Sequence, residues 1–380
     1  MTDYDLLIRG GRLLDSGAGI DRIADIALKD GLIAGIGDKI DATAARVIDA
    51  TGLIVTPGLI DFHTHLYPYT DMGIGEALCF SSGVTTAVDA GSLGWGNFEA
   101  MRGFAGGCRL REFFYLNISP DGIPVNNFCE TVDPDFNGGA AAISVRRIFR
   151  NRPENLLGLK LRMQRNITRE LGLRPLEWAL AMCDELDTHL VVHCTDPALP
   201  LRDILSRMRP GDIVTHIYNG LGETILDDKG KLIPELVDAR ERGVLFDCGN
   251  DRVHFSYKVA LPALEQGFFP DFMGTDITTN SAFGPICFSL SHLISKWMAL
   301  GLSLEALIEM TTHTAAKKVG LAGRIGTLSP GAFGDVALFK LEEGDFRFPD
   351  FYGDEHRGHL RLRPIATAIE GKLAWCDIDY

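Results

Sequence analysis

The sequence predicts an α/β fold, a (β/α)8 TIM barrel to which the two ends of the chain add a small β-sandwich domain. Three observations support this fold. The chain has 380 residues, more than the roughly 250 that a barrel alone usually needs. Eight short apolar runs alternate with helical patterns through its middle. The segments before and after them have the alternation of strands and turns that is typical of β-hairpins.

The N-terminal segment reads as short strands separated by turns. Leu6–Arg9 precedes a pair of glycines, and Asp30-Gly31 is a dipeptide typical of tight hairpins. The C-terminal segment has the same pattern, with a strand-like run at Asp335–Phe339. The predicted units are residues 1–54 and 323–380 for the β-sandwich and residues 55–322 for the barrel.

The middle of the chain supplies the predicted barrel. Between its apolar runs lie segments with apolar residues at helical spacing, such as Pro175–Met182, and a proline near a helix start at Pro234. Alternating β and α segments indicate a parallel sheet, and eight such units indicate a closed barrel. The eight runs are Leu53–Asp61, Gly83–Ala90, Phe113–Ile118, Leu156–Leu161, His189–His193, Ile213–Ile217, Val244–Cys248 and Phe272–Asp276.

Composition and charge narrow the classes of function. Hydrophobic residues make up 46% of the chain and charged residues 23%, which is typical of a folded enzyme. The formal net charge of -14 and the lack of a Lys/Arg-dense block argue against nucleic acid as a partner. The N-terminus has no basic segment followed by an apolar one, and no apolar stretch approaches 18 residues, so we expect a cytoplasmic protein without a membrane partner. The eight scattered cysteines predict reduced, mostly buried thiols.

Metal-ligand side chains stand at the C-terminal ends of four of the runs. His63 and His65 follow the first run two residues apart, so on a strand they face the same side. His193 ends the fifth run, His216 lies near the end of the sixth, and Asp276 ends the eighth. The active sites of TIM barrels lie at this end, and imidazole and carboxylate suit zinc, manganese or ferrous iron. Two strand histidines alone are often a packed polar spot, but five such residues at one mouth predict a metal centre.

Lys160 lies inside the apolar fourth run, which is an unusual place for a charged side chain. Burial of an ammonium group costs several kcal/mol unless the charge is lost or paired. A neutral amine can capture carbon dioxide and become a carbamate that bridges two cations. The alternative is a structural lysine that reaches solvent or pairs with an acidic residue.

The segment Val55–His65, which reads VTPGLIDFHTH, resembles the signature opening of the amidohydrolase superfamily. Gly83–Thr86 is similar to its second strand, Thr314–Lys317 to the helix after the barrel, and Gly331–Phe339 to the return into the β-sandwich. The order of the ligand residues resembles the binuclear subtype with a carboxylated lysine. Softer motifs such as Gly158–Lys160 resemble its dihydroorotase-like amidohydrolase/deacetylase branch.

This resemblance implies two divalent ions, expected to be zinc, and carbon dioxide held as N6-carboxylysine. A hydroxide between the ions would attack the substrate, and Asp276 would serve as the catalytic general acid–base. The implied reaction is hydrolysis of an amide or ester bond of a small carboxylate-bearing molecule, as in a deacetylase or esterase. The implied ligands are His63, His65 and Asp276 for one ion, His193 and His216 for the other, and carboxylated Lys160 between them.

Two other functions stay open. A cyclic-amide hydrolase of the dihydroorotase, hydantoinase or lactamase kind would use the same ligands, because it also attacks an sp2 carbonyl. A non-catalytic assembly protein on the same barrel would be expected to lack ligands, and none is missing here. A deaminase of this superfamily usually has one metal and no bridging lysine, so Lys160 disfavours that activity.

Five polar side chains near the predicted strand ends are candidates for substrate contact. Arg162 suits pairing with a carboxylate, and the segment Gly249–His254 departs from the Gly-His-Gly loop that is usual in relatives. Their structural alternatives are an ion pair for Arg162, a turn cap for Asn219 and a surface position for His254. The apolar segment Ile286–Leu302 serves either the core or a homo-oligomer interface. The candidates are Tyr67, Ser92, Arg162, Asn219 and His254.

Overall fold

A computed structural model describes residues 2–124, 130–282 and 284–378, except the side chains of residues 105 and 106. Its strands fall into two sheets, and short helices connect the strands of the second sheet. The strands are β1 (Tyr4–Asp15), β2 (Ile20–Lys29), β3 (Leu32–Gly37), β4 (Ala44–Asp49), β5 (Ile54–Pro57), β6 (Leu59–Thr64), β7 (Val84–Asp89), β8 (Arg111–Asn117), β9 (Leu156–Arg162), β10 (His189–His193), β11 (Ile213–Thr215), β12 (Leu245–Asp247), β13 (Val336–Pro349), β14 (Glu355–Ile369) and β15 (Lys372–Cys376). The α-helices are α1 (Glu76–Phe80), α2 (Phe98–Met101), α3 (Ala140–Arg150), α4 (Arg165–Thr168), α5 (Arg174–Glu185), α6 (Leu201–Leu205), α7 (Pro234–Glu241), α8 (Tyr257–Glu265), α9 (Leu290–Ala299), α10 (Leu304–Glu309) and α11 (Ala315–Lys318).

The barrel consists of β6 to β12, which pair in chain order as parallel neighbours. The predicted barrel is confirmed, but its eighth run does not form a regular strand. Residues 272–277 make only isolated bridges, Asp247 with Phe272 on one side and Thr64 with Ile277 on the other. The segment still closes the barrel, because the Asp276 amide donates to the His63 carbonyl at 2.7 Å.

A glycine allows this segment to come so close to β6. A Cβ atom at Gly274 would overlap the Cβ atom of His63, so no other residue fits there without movement of the backbone. Asp276 follows with a φ of 55°, a left-handed conformation that a non-glycine residue adopts only at a cost. The irregular backbone therefore aims the Asp276 side chain at the histidines of β6.

The terminal segments form one eight-stranded mixed sheet with the order β15-β14-β13-β5-β1-β2-β3, and β4 pairs with β1. The first predicted barrel run is divided between the two sheets. Its beginning is β5, which pairs antiparallel with β13 and parallel with β1, whereas its end is β6 of the barrel. Gly58 joins the two strands, so the terminal sheet extends to Pro57.

The hairpin of β13 and β14 reaches from the terminal sheet to the loop that follows β12. Its tip lies against that loop, since the Tyr352 hydroxyl donates to the Val253 carbonyl at 2.8 Å. The Asp350 carboxylate accepts from the Tyr257 amide at 3.0 Å, and the Tyr257 hydroxyl donates to the Phe348 carbonyl at 2.7 Å. The C-terminal segment therefore supports a loop at the C-terminal mouth of the barrel.

Among the described residues, the cysteines form no disulfide bond and no helix can span a membrane. Seven of the eight cysteines have free thiols, and five of the seven are buried, whereas Cys129 lies outside the described residues. Within the described ranges, no helix combines the length and the apolar character needed to cross a membrane.

Lys296 on α9 is a buried amine remote from the predicted metal ligands. Its Nζ has no hydrogen-bond partner among the described residues and lies 3.5 Å from the centre of the Phe255 ring. Burial lowers the pKa of Lys296 to about 7. Between pH 7 and the higher pKa of the unfolded chain, the unfolded state binds this proton and the folded state does not. The buried charge of Lys296 therefore lowers the free energy of unfolding by its full amount below pH 7. This destabilisation becomes smaller as the pH rises.

We expect Lys296→Met to raise the free energy of unfolding by about 2 kcal/mol at pH 7 and by less at pH 10. Methionine keeps the length of the side chain and removes the buried amine. Chemical denaturation at the two pH values measures the change. Lys258→Met, at an exposed position on α8, is the control and is expected to change stability by less than about 0.5 kcal/mol. A loss of stability in Lys296→Met at pH 7 would contradict this account.

Candidate metal centre

Two histidines of β6 face the inside of the barrel mouth. The His63 Nδ1 donates to the Asp247 Oδ2 at 2.8 Å, and the Thr215 hydroxyl donates to the same oxygen at 2.6 Å. This bond fixes the tautomer of His63 and leaves the Nε2 lone pair directed away from Asp247. The His65 Nδ1 lies 3.0 Å from the Ser92 hydroxyl, and its Nε2 lies 3.1 Å from the Asp276 Oδ1.

Two further histidines come from the ends of β10 and β11. His216 has a φ of 65°, and its Nδ1 donates to the Gly249 carbonyl at 2.9 Å. Gly249 must be a glycine, because a Cβ atom there would overlap the His216 ring. The His193 ring lies 4.4 Å from the His216 ring, and its buried Nε2 has no hydrogen-bond partner among the described residues. A buried imidazole nitrogen without a protein partner is free to bind a metal ion.

Lys160 and Asp276 complete the cluster. The Lys160 Nζ lies 3.5 Å from the His63 Nε2, and its side chain is only 1% exposed. The Asp276 Oδ1 lies 3.4 Å from the same His63 nitrogen. The six side chains predicted as ligands from the sequence are therefore brought together at one mouth of the barrel.

Burial sets the protonation of these groups. It lowers the pKa of His63, and it holds the pKa values of His193 and His216 well below their usual range, so the imidazoles are neutral and can donate lone pairs. Burial also lowers the pKa of Lys160 to about 8. It opposes ionisation of Asp276, yet the interactions of the carboxyl with His63, His65 and His254 hold the pKa of Asp276 well below its usual range.

The cluster lines a cavity of about 50 Å³. Pockets for drug-sized ligands usually enclose roughly 300–1,000 Å³, so only a small chemical group fits against the cluster. Two sets of three donor atoms lie within 4.8 Å of one another, His63 with His216 and Asp276, and His193 with His216 and His254. Neutral imidazoles, a carboxylate and a buried amine in this spacing can hold divalent cations.

Of the five predicted substrate contacts, two line the cavity. Arg162 does so, although its Nη1 donates to the Glu130 carboxylate at 2.7 Å and its Nη2 to the Gln164 side chain at 2.9 Å. His254 is buried there and not at the surface. Its ring stacks on His216 at 4.0 Å, and its Nδ1 lies 2.8 Å from the Thr195 hydroxyl.

The other three predicted contacts lie outside the cavity lining. Ser92 is behind His65 and orients its ring, and Asn219 holds a turn by donating to the His216 carbonyl at 3.0 Å. Tyr67 is 61% exposed beyond the mouth. The positions of these three side chains do not support a direct contact with a substrate in the cavity, because each faces backbone, another protein side chain or solvent.

Several residues of the site were not predicted from the sequence. Asp247 ends β12 and binds His63, and Arg252 and Thr278 line the cavity from the loops after β12 and after residue 276. The position of Asp247 near the end of the seventh apolar run could have indicated its role. The sequence did not indicate that the Arg252 and Thr278 side chains point into the cavity, because their orientation depends on the conformation of the loops.

We expect Asp247→Asn to weaken zinc binding roughly 10- to 100-fold, because partners that orient a metal-binding histidine contribute by about that factor. Titration of the metal-loaded protein with a competing chelator measures the affinity. Asp271→Asn is the control, since Asp271 accepts from the Phe246 amide in the middle of β12 and pairs with Arg240. Equal zinc affinity in Asp247→Asn and the unmodified protein would contradict the orienting role.

The comparisons with known proteins cover almost the whole chain. The model of the Amidohydrolase family matches residues 159–368. A deacetylase from Brucella anthropi is 30% identical over 92% of this chain and 87% of its own length. The crystal structure of an adenine deaminase superposes with a TM-score of 0.87 at 29% identity, over 99% of this chain and 100% of that chain. That of a dihydroorotase gives a TM-score of 0.87 at 27% identity, over 98% of each chain.

Proposed function

The chain belongs to the amidohydrolase family, and we propose that it is a deacetylase-like hydrolase that uses two divalent metal ions to cleave an amide or ester bond. The substrate is a small molecule that carries a carboxylate. The observation that carries this proposal is the convergence of four histidines, one aspartate and one buried lysine on a single small cavity. Membership of a family of hydrolytic enzymes makes catalysis the role of that cavity.

The donor set fits two ions of zinc. The unpartnered Nε2 of His193 and the neutral imidazoles around it are what zinc binds, and a carboxylate completes the set. When bound, two such ions would supply a nucleophilic hydroxide at neutral pH and would polarise the carbonyl of the substrate. Carbon dioxide bound to the Lys160 amine as a carbamate would add two oxygen donors. The proposed holders are His63, His65 and Asp276 for one ion, His193 and His216 for the other, and carboxylated Lys160 between them.

Asp276 is the proposed catalytic acid–base. Its carboxylate is ionised and lies at the centre of the cluster, so it can accept a proton from the attacking water. As the bond to the acyl carbon breaks, the same carboxyl returns the proton to the leaving nitrogen or oxygen. The His254 Nε2 lies 3.5 Å from the Asp276 Oδ2, so His254 is placed to interact with that carboxylate or with the leaving group.

The similar proteins favour an acyl group such as acetyl, because they include a deacetylase that is 30% identical over 92% of this chain. The cavity of about 50 Å³ would have to hold the two ions and the attacking water, so most of the substrate lies toward the mouth.

A cyclic-amide hydrolase is the second candidate. The structural similarity to a dihydroorotase, with a TM-score of 0.87 over 98% of each chain, favours it. Ring opening and deacylation place the same carbonyl at the same donors, so the two differ only in what the mouth accepts. The deacetylase that is 30% identical over 92% of this chain favours the acyclic substrate.

Metal content tests whether the site holds two metal ions. We expect about two zinc ions per chain in protein grown with zinc and bicarbonate, measured by atomic emission. Mass spectrometry under mild conditions should show a labile increment of the mass of carbon dioxide. One tightly bound ion without the increment would point to a mononuclear hydrolase or deaminase, and no metal would point to an assembly protein.

A panel of substrates tests which bond the protein cleaves. We expect acetate release from N-acetyl amino acids or O-acetyl hydroxy acids by the zinc-loaded protein. Hydantoins, dihydroorotate and lactams test the cyclic-amide alternative, and adenine tests deamination. Turnover confined to the cyclic amides would replace the deacetylase proposal with the second candidate.

A further inference from the structure

Arg252 is a cation at the cavity whose donor groups are only partly used. It lies in the loop after β12 and lines the cavity, and its side chain is 38% exposed. The Nε donates to the buried Asp251 carboxylate at 2.8 Å. Its two terminal nitrogens make no hydrogen bond within the described part of the chain, so they remain available to a ligand. A guanidinium held through Nε presents its other edge in a fixed direction.

Arg162, the other arginine of the cavity, is differently placed. Both of its terminal nitrogens are already engaged, one by Glu130 and one by Gln164, and its side chain is 10% exposed. Glu130 is itself buried, so this pair is a fixed part of the wall. Arg252 is therefore better placed than Arg162 to bind a substrate anion.

Thr278 gives a second, independent sign of a ligand on the same wall. Its side chain is buried and lines the cavity, and its hydroxyl has no hydrogen-bond partner among the described residues. The backbone of Thr278 is held in place, because its amide donates to the Ser281 hydroxyl at 3.2 Å. A buried hydroxyl without a partner is costly in a folded protein, so a bound ligand is the natural acceptor.

The loop that carries Arg252 is built to hold one conformation. Arg252 has a φ of 42°, which is unfavourable for a residue with a side chain and persists only when the surroundings enforce it. Tyr352 at the tip of the β13–β14 hairpin contributes to that enforcement by donating to the carbonyl of Val253. A pre-set arginine loses little conformational entropy when an anion binds.

We propose that Arg252 and Thr278, which both line the cavity, form a subsite for the carboxylate of the substrate. This inference rests on the proposed function, because it places a carboxylate-bearing acyl compound across the mouth. The Arg252 terminal nitrogens donate to the two carboxylate oxygens, and the Thr278 hydroxyl donates to one of them. The subsite therefore selects N-acyl amino acids or O-acyl hydroxy acids over their neutral amides.

The test compares an acid with its uncharged counterpart. Binding of N-acetylalanine and N-acetylalaninamide to the zinc-loaded protein is measured by calorimetry, or as steady-state constants for acetate release where turnover occurs. We expect the unmodified protein to bind the acid roughly 10- to 100-fold more tightly, the usual range for a charge-assisted hydrogen bond. Arg252→Met should remove this preference by weakening the acid alone. Thr278→Val should weaken the acid roughly 3- to 10-fold.

Three controls keep the test decisive. Arg147→Met, on the exposed face of α3, should leave the preference unchanged. Arg252→Gln keeps a hydrogen-bonding side chain without the charge and should lose the preference as Arg252→Met does. Metal content and Tm show that each variant is folded and loaded.

The outcomes separate the subsite from the proposed function. A preference for the acid that survives Arg252→Met, or an unmodified protein without any preference, overturns the subsite. An Arg252-dependent preference without acetate release from any compound supports the subsite and overturns the deacetylase proposal. Equal loss of acid and amide binding in Arg252→Met would make Arg252 a support of the loop only.

Discussion

Asp276→Asn is expected to lower kcat roughly 100- to 10,000-fold while most of the bound metal remains, the range that a positioned acid–base group contributes. The asparagine oxygen can still act as a weak ligand, but the side chain no longer accepts a proton from water. In the structure, Asp276 is the group that touches both His63 and His65 and also faces His254. No second carboxylate among the residues that line the cavity can replace it. Steady-state kinetics on the zinc-loaded variant, with zinc content measured on the same sample, checks the prediction.

A buried carboxylate at the other end of the barrel is the matched control. Asp212 precedes β11, whereas His216 follows it, and Asp212 accepts from the Leu190 amide at 2.8 Å and pairs with Arg209. Asp212→Asn should lower Tm and leave kcat per folded, zinc-loaded molecule within about twofold. An Asp276→Asn protein with full zinc and unchanged kcat would reject the acid–base role and leave Asp276 as a ligand alone.

Strand geometry explains how the sequence could place the predicted ligands at one mouth of the barrel. Side chains at the C-terminal ends of parallel barrel strands must meet at one mouth, so His193 and His216 could be placed there without knowledge of the loops. The period of two along β6 placed His63 and His65 on one face. The fold class and the family are confirmed by the structure and the comparisons for the same reason, since both depend on the regular elements.

The features that the sequence did not reveal depend on irregular backbone. Asp276 was predicted at the end of the eighth run, but no apolar pattern encodes its left-handed conformation or the bend of that segment around Gly274. Arg252 meets the cavity only because its loop turns through a positive φ and is supported by a hairpin about one hundred residues later in the chain. Ser92 was predicted near the site and is there, but its hydroxyl faces His65 and not the cavity.

These differences bear on specificity more than on chemistry. The predicted metal ligands lie on the barrel strands, directly after them or in the segment that closes the barrel, whereas Arg252 and Thr278 lie on loops, which differ readily among relatives. A deacetylase, an adenine deaminase and a dihydroorotase can thus share a closely similar fold with this chain. The loops after β12 and after residue 276 are where this chain's own substrate preference is expected to reside.

Lys160→Ala is expected to lose most of the bound zinc and to lower activity at least 100-fold, because it removes the donor proposed to lie between the two ions. The proposed carbamate would form when the neutral Lys160 nitrogen bonds to the carbon of carbon dioxide and releases one proton. Burial of Lys160 at 1% exposure favours that neutral amine. Short carboxylates such as formate, acetate or propionate should restore part of the activity and zinc content, since they can occupy the space left by the side chain. Activity measured against carboxylate concentration checks the rescue.

Lys318 makes this prediction specific, because burial also lowers the pKa of Lys318 to about 8 but its Nζ donates to the Gly211 carbonyl, away from the cluster. Lys318→Ala should keep its zinc and its activity and should not respond to added carboxylates. If zinc loss and rescue belong to Lys160→Ala alone, a perturbed amine is not sufficient, and the position beside the histidines makes it a carbamate. Wild-type zinc content in Lys160→Ala without rescue would instead make Lys160 a structural lysine, and the two sets of imidazoles would have to hold the metal without a bridge.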